Sequence, residues 1–212
     1  MTIKISEQFY SIQGEGRTVG VPAVFLRLQG CNLTCGGIHT VKSKKLDSDA
    51  TWRCDTIEVW TKGNSYHFKD VCDEWENKNW VKLFKQGAHL VITGGEPLLQ
   101  QVAICDLLTY FNKRYDFSPI IEIETNGTIE PSHDLIKRVS FFNVSPKLSN
   151  SGMLKSKRII PPVLSIFNGL DSAIFKFVIS KDDDVTELMK DYISTSFISH
   201  SKVFLMAAAS TK

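Results

Sequence analysis

The sequence predicts an α/β fold in which about six parallel strands and flanking helices form an incomplete TIM-like barrel. Three observations lead there. Short apolar runs rich in Val, Ile and Phe recur along the chain, segments with helical spacing lie between several of them, and Gly-, Asn-, Ser- and Lys-bearing motifs follow four of the runs. Strands that alternate with helices pair in parallel through crossover connections. Six are more than a small open motif needs and fewer than an eight-stranded barrel has.

Taken in order, the runs are Ala23–Leu28, His89–Thr93, Ile120–Glu124, Phe141–Val144, Ala173–Ile179 and Val203–Met206. Each has the length and composition of a buried strand. The helical segments are Phe68–Phe84, Leu98–Asn112, Ser132–Val139 and Asp183–Ile193. Between Ser149 and Gly169 the sequence is harder to read, because Pro161 and Pro162 interrupt any helix there. No internal repeat or low-complexity linker divides the 212 residues, so one domain spanning 1–212 is expected.

Bulk composition narrows the function classes. Hydrophobic content of 42% and charged content of 23% are ordinary globular values, and a formal charge of +2 is too small for wholesale nucleic-acid binding. The sequence shows no apolar stretch of spanning length and no leader with a charged start and apolar middle, so a cytoplasmic protein is expected. Its five cysteines are too few for a disulfide framework in a chain this long, and clustered ones point to metal or reactivity.

The clustered ones are Cys31, Cys35 and Cys54, with three residues between the first two and eighteen between the second and third. Three thiolates suit a zinc site completed by His39 or His67, or a cubane iron–sulfur cluster with one iron left open. Spacing alone does not choose between them. Cys72 and Cys105 lie in helical patterns and read as small core residues. The motifs at strand ends are GCNLTC, GGEP at Gly94–Pro97, TNGT at Thr125–Thr128 and SPK at Ser145–Lys147. Each could be an ordinary turn, but in parallel α/β folds ligands gather at the carboxyl ends of strands, and four motifs together favour a ring of contacts.

The whole constellation resembles the radical S-adenosylmethionine superfamily and, within it, the 7-carboxy-7-deazaguanine synthase family. The resemblance rests on EQFYSIQGEG (Glu7–Gly16), VPAVFLRLQGCNLTC (Val21–Cys35), WRCDT (Trp52–Thr56), VITGGEPLLQ (Val91–Gln100), ETNGT (Glu124–Thr128) and VSPK (Val144–Lys147), in family order over roughly two-thirds of the chain. GGEP alone marks only the superfamily; SIQGEG with RLQGCNLTC marks the narrower family. One departure stands out. The family pattern has two residues between the second and third cysteines, where this chain has eighteen, an insertion at about 36–52 that keeps WRCDT intact. Lengthening a flexible loop tenfold costs about 2 kcal/mol of closure entropy, which metal–thiolate bonds readily offset. Cys54 is therefore expected to join Cys31 and Cys35, with the lysine-bearing insertion a solvated flap.

The resemblance implies a radical S-adenosylmethionine core holding a [4Fe-4S] cluster, S-adenosyl-L-methionine and Mg2+. Its implied reaction converts 6-carboxy-5,6,7,8-tetrahydropterin to 7-carboxy-7-deazaguanine with release of ammonia. Carried over residue by residue, Cys31, Cys35 and Cys54 are cluster ligands and Thr56 is the magnesium ligand. Arg53, Asp55, Gly94, Gly95, Glu96, Ser145 and Lys147 contact the cofactor. Ile12, Gln13, Gly14, Glu15, Arg27 and Thr93 contact the substrate, Arg27 as a bidentate carboxylate clamp; Glu124, Thr125 and Asn126 would complete the pocket wall. Without the resemblance Thr56 reads as a helix cap and Arg27 as a strand arginine reaching for the surface. An electron donor such as flavodoxin and a homodimer are implied partners, and no direct nucleic-acid or membrane contact is expected. The tail at Ala207–Ala209 lacks the polar groups the family has there. A glycyl-radical activase would share the cluster and GGEP but not Arg27, SIQGEG and Thr56; a zinc-stabilised binding module is the rival from outside the superfamily.

Overall fold

The computed structural model describes residues 1–46 and 49–208. All six predicted strands form, and two more precede and interrupt them. In chain order the strands are β1 (Thr2–Ile12), β2 (Pro22–Leu28), β3 (Asn64–His67), β4 (His89–Gly94), β5 (Ile120–Thr125), β6 (Phe141–Val144), β7 (Ala173–Ile179) and β8 (Val203–Ala207). They make one sheet in the order β3-β1-β2-β4-β5-β6-β7-β8. From β2 to β8 every neighbouring pair is parallel. β1 and β3 extend the other edge antiparallel.

Alternation along the parallel strands separates two faces. Val24, Leu26 and Leu28, then Leu90 and Ile92, Ile121 and Ile123, Phe142 and Val144, and Phe175 and Phe177 enter the large core under the helices. The opposite face carries Phe25, Arg27, Val91, Thr93, Glu122, Glu124, Asn143 and Lys176. That polar inner face is where the strands read as continuous apolar runs least well.

The helices cover the other face for local reasons. In α3 (Phe68–Asn77), Phe68, Val71, Cys72 and Trp75 recur at helical spacing and are buried. Asn79 takes the left-handed conformation at φ 58°, ending that helix and starting α4 (Trp80–Lys85), so the predicted Phe68–Phe84 segment is two helices. Trp75, Phe84 and Phe111 then pack together with ring centroids 5.6, 5.8 and 6.0 Å apart. The second predicted helical segment, Leu98–Asn112, is met by α5 (Gln101–Tyr115), which buries Ile104, Cys105, Leu107, Leu108 and Phe111. Ser132 caps α6 (His133–Arg138) by accepting from the Leu135 amide at 3.3 Å. Pro161 and Pro162, which seemed to forbid a helix, instead open α8 (Pro161–Asn168), where a missing amide costs nothing. The remaining helices are the short α1 (Thr40–Ser43), α2 (Ile57–Trp60) and α7 (Lys155–Arg158), and α9 (Asp182–Leu188), which continues into a π turn at Met189–Ile193. Cys72 and Cys105 are buried as predicted.

The loop joining β1 to β2 decides how the inner face is covered. Gln13 and Val21 close its base through a 2.8 Å amide–carbonyl bond, and the loop then runs across the sheet. Gly16, at φ 72°, lies so close to β6 that a Cβ there would sit 2.7 Å from Asn143 Oδ1. Only glycine fits both the backbone angle and the gap.

Candidate active site

The cysteine loop leaves the carboxyl end of β2 and folds against β4. A Cβ on Gly95 would lie 2.2 Å from the Gly30 carbonyl oxygen and 2.6 Å from Cys31 Cβ, so the second glycine of GGEP is what lets the two loops touch. Cys54 comes back to its partners despite the insertion: its amide donates to the Cys35 carbonyl at 3.1 Å. The Leu33 amide and the Trp60 indole donate to Cys31 and Cys54 sulfurs, both at 3.4 Å.

The three thiols share one electrostatic environment. Burial pushes the Cys31 thiol up to about 12, and nearby Glu96, Cys35 and Cys54 push the same way. Burial also raises Cys35, where the ammonium of Lys147 works in the opposite direction. Among the described residues, no group of three or more His, Cys, Asp or Glu is arranged around a single ion. A cubane asks for something different, one thiolate at each of three irons, and this donor set fits it. His67 pairs with Thr2 on the outermost strand β3, whereas His39 starts α1 within the insertion.

The insertion is more than a flap. Its roots are fastened to the segment after β6: the Gly36 amide donates to the Ser151 carbonyl at 2.8 Å, the Thr51 amide to the Asn150 carbonyl at 2.8 Å, and the Trp52 indole to Asn150 Oδ1 at 3.0 Å. Thr40 is fully buried, while Ile38, Val41 and Leu46 at the tip are exposed. Arg53 turns toward these roots. It donates to Thr40 Oγ1 at 2.9 Å and pairs with Glu58, so its guanidinium clamps the insertion.

Other expected cofactor residues converge from three strand ends. Lys147 donates to Ser145 Oγ at 3.1 Å and lies 5.8 Å from the Trp52 ring centroid. Glu96 is fully buried and braces the strands: it accepts from the Leu98 amide at 3.0 Å, Thr125 Oγ1 at 2.8 Å and the Asn126 amide at 2.7 Å. Burial raises its pKa against those bonds. Asp55 is exposed. Thr56 occupies the first cap position of α2 but makes no capping bond with its side chain; its hydroxyl stands 3.5 Å from Cys54 Sγ. The helix-cap reading of that hydroxyl is thus set aside.

The expected substrate residues lie on the inner face below. Arg27 is directly opposite Thr93 in the β2–β4 ladder, and its Nε donates to Glu7 at 2.7 Å. Thr93 Oγ1 donates to Glu124 at 2.8 Å, and Gln13 Nε2 donates to the same carboxylate at 3.2 Å. Ile12, the last residue of β1, and Gly14 on the covering loop are exposed, whereas Gln13 is buried.

Several polar groups here escaped the sequence reading. Glu122 is fully buried and accepts from Thr18 at 2.8 Å, from Asn143 at 3.1 Å and from Gln13 at 3.5 Å, with His89 beside it. Lys176, also buried, meets Glu15 from β7. Arg158 reaches the Lys147 carbonyl at 3.1 Å and the Met153 carbonyl at 3.2 Å, and pairs with Glu187 at 2.6 Å. The signal available for the inner-face groups was a charged or amide residue inside an apolar strand; for Arg158 there was none.

A parallel half-barrel with a three-cysteine loop at the carboxyl ends of its strands defines an iron–sulfur enzyme of the radical S-adenosylmethionine fold. Residues 12–156 match the 4Fe-4S single cluster domain family. The chain is 32% identical over 207 residues to the 7-carboxy-7-deazaguanine synthase of Pyrobaculum aerophilum, covering 98% of this chain and 80% of that protein. It is 33% identical over 168 residues to the Escherichia coli enzyme of that name, covering 72% of this chain and 64% of the other. The crystal structure of QueE from Escherichia coli superimposes with a TM-score of 0.62 at 26% identity, over 99% of this chain and 85% of that one. The chain belongs to the 7-carboxy-7-deazaguanine synthase family, radical S-adenosylmethionine lyases of 7-deazapurine biosynthesis that act on a small molecule. It spans 64% of the length of the Methanospirillum hungatei relative. No helix among the described residues is long and apolar enough to cross a membrane.

Proposed function

We propose that the protein converts 6-carboxy-5,6,7,8-tetrahydropterin to 7-carboxy-7-deazaguanine with release of ammonia, as one domain over 1–212 with its insertion at 36–52. The observation that carries this reading is the placement of Arg27 opposite Thr93 on the inner face, with Gln13 and Thr93 on one Glu124 carboxylate, beneath the cysteine loop.

Cys31, Cys35 and Cys54 hold a [4Fe-4S] cluster. Bound there, the cluster would supply one-electron chemistry toward S-adenosyl-L-methionine. Ser145, Lys147 and the close-packed backbone of Gly94, Gly95 and Glu96 hold that cofactor, with Arg53 and Asp55 beside them. The raised thiol pKa of Cys31 means that cluster assembly must displace a proton there.

The remaining residues bind and orient. With Nε engaged by Glu7, the terminal nitrogens of Arg27 are left to take a carboxylate in a fork. Glu124 fixes the rotamers of Thr93 and Gln13 that face the ring. Ile12 and Gly14 cover it, and Glu15 accepts from its N–H groups. Thr56, whose hydroxyl makes no capping bond, offers an oxygen to Mg2+, an ion that prefers hard oxygen ligands and keeps waters. A one-electron donor such as flavodoxin completes the cycle; we place the enzyme in the cytoplasm as a homodimer. Anaerobic reconstitution followed by incubation with carboxytetrahydropterin, S-adenosylmethionine, Mg2+ and a reductant tests the assignment. Formation of 7-carboxy-7-deazaguanine and ammonia is expected; cofactor cleavage without that product would contradict it.

A further inference from the structure

The ladders set out the inner face in layers. Arg27 pairs with Thr93, Glu124 with Asn143, and Asn143 with Ile174, giving one layer across five strands once the Thr93–Glu124 hydrogen bond is included. Two residues further along each of the last four come Gly95, Asn126, Ser145 and Lys176. Three of these belong to the motifs at the strand ends. The fourth, Lys176, is the charged member of that layer and has no part in the function derived above.

Lys176 is 8% exposed, on a strand whose alternate residues Phe175 and Phe177 fill the core. A lysine seldom reaches such burial unpaired. Burial pushes its pKa down to about 8, and the group placed to keep it charged is the carboxylate of Glu15. Glu15 stands in the β1–β2 loop, two residues after Gln13 and one before Gly16, and its amide donates to Gln13 Oε1 at 3.2 Å. The pair therefore ties the far side of the sheet to the loop that covers the inner face. Thr18 and Gln13, on Glu122 and Glu124, hold the same loop from β5.

We propose that Lys176 is a positioning residue for substrate recognition: by fixing the Glu15 carboxylate it holds the Gln13–Gly16 loop over the inner face. This rests on the functional reading above, which puts the substrate under that loop. Cluster assembly and cofactor cleavage do not pass through Lys176, so losing it separates substrate binding from radical generation.

The test compares wild type with Lys176→Met, Lys176→Arg, Glu15→Gln and the Lys176→Met/Glu15→Gln pair, all with reconstituted enzyme. Lys176→Met is expected to raise KM for carboxytetrahydropterin by about thirtyfold, the scale of a lost charged hydrogen bond, with kcat changed by no more than about threefold. Lys176→Arg should recover most of the loss. The double variant should be no worse than Glu15→Gln alone, because Lys176 acts only through the Glu15 carboxylate. S-adenosylmethionine cleavage without substrate should match wild type in Lys176→Met and Lys176→Arg. A second readout needs no turnover: in cluster-free protein, trypsin should cut after Arg17 roughly tenfold faster in Lys176→Met than in wild type or Lys176→Arg. Unchanged KM with unchanged proteolysis, fully additive losses, or an equal fall in cofactor cleavage would each overturn the proposal. If wild type made no product, the functional reading would fail, and the proteolysis would still decide whether Lys176 holds the loop.

Discussion

A hydroxyl at the start of a helix normally accepts from a backbone amide, and Thr56 does not. That hydroxyl, bonded weakly to the sulfur of the third cysteine at 3.5 Å, can be removed with little structural cost. Thr56→Val should leave cluster content and cofactor cleavage intact while abolishing magnesium stimulation of product formation; a magnesium titration of both enzymes checks it, and equal stimulation would refute the assignment. Arg27 makes a different prediction, because it serves Glu7 through one nitrogen and, in the proposed function, takes the substrate carboxylate with the others. Arg27→Ala should lower kcat/KM for the pterin by roughly a hundredfold, the scale of a lost charge-assisted bidentate contact, again without touching cofactor cleavage. Among the cysteines the contrast is sharper. Replacing Cys31, Cys35 or Cys54 by Ala should abolish the cluster, whereas Cys72→Ala and Cys105→Ala should retain full iron and lose only packing. Iron analysis of the five variants settles it.

At the scale of elements, the segment after β6 does two things at once. It presents Ser145 and Lys147 at the mouth, and it anchors both roots of the insertion through Asn150 and Ser151. Arg158 holds this segment from beneath, together with Tyr192, which donates to the Lys147 carbonyl at 2.7 Å. Arg158→Met would remove a buried cation from beside Glu187, leaving that carboxylate to Ser149, and should destabilise the fold by about 3 kcal/mol. Thermal unfolding of the cluster-free protein measures that directly, and affinity for S-adenosylmethionine should fall as well. None of this coupling was legible in the sequence, where Arg158 stands in an unpatterned stretch and its partners lie 5 to 34 residues away. The parallel strands were legible because burial under the helices makes them apolar runs. β1 and β3 were not, since antiparallel edge strands mix exposed polar residues such as Lys4 and Ser65 with the buried Ile3 and Ile5. The helix break at Asn79 and the helix start at Pro161 turned on single backbone conformations that periodicity does not report.

For the molecule as a whole, the strand-end motifs were readable because they are contiguous, and the inner face was not because its polar groups come one per strand. Glu122, Asn143 and Lys176 each look like a lone error in an apolar run until the register puts them on the same face as Arg27 and Thr93. The central claim joins the two halves: a cluster held by cysteines whose second gap is eighteen residues where the family has two, above a pocket shaped for a carboxylated pterin. One measurement tests it most directly. Reconstituted wild-type and Cys54→Ala proteins are incubated with carboxytetrahydropterin, S-adenosylmethionine, Mg2+ and reductant, and product is followed by mass spectrometry. Wild type is predicted to form 7-carboxy-7-deazaguanine with one ammonia released per product, and Cys54→Ala to form none and to hold no cluster. Product formation by Cys54→Ala at the wild-type rate, or a wild-type protein that binds a full cluster and leaves the pterin unchanged, would contradict the account.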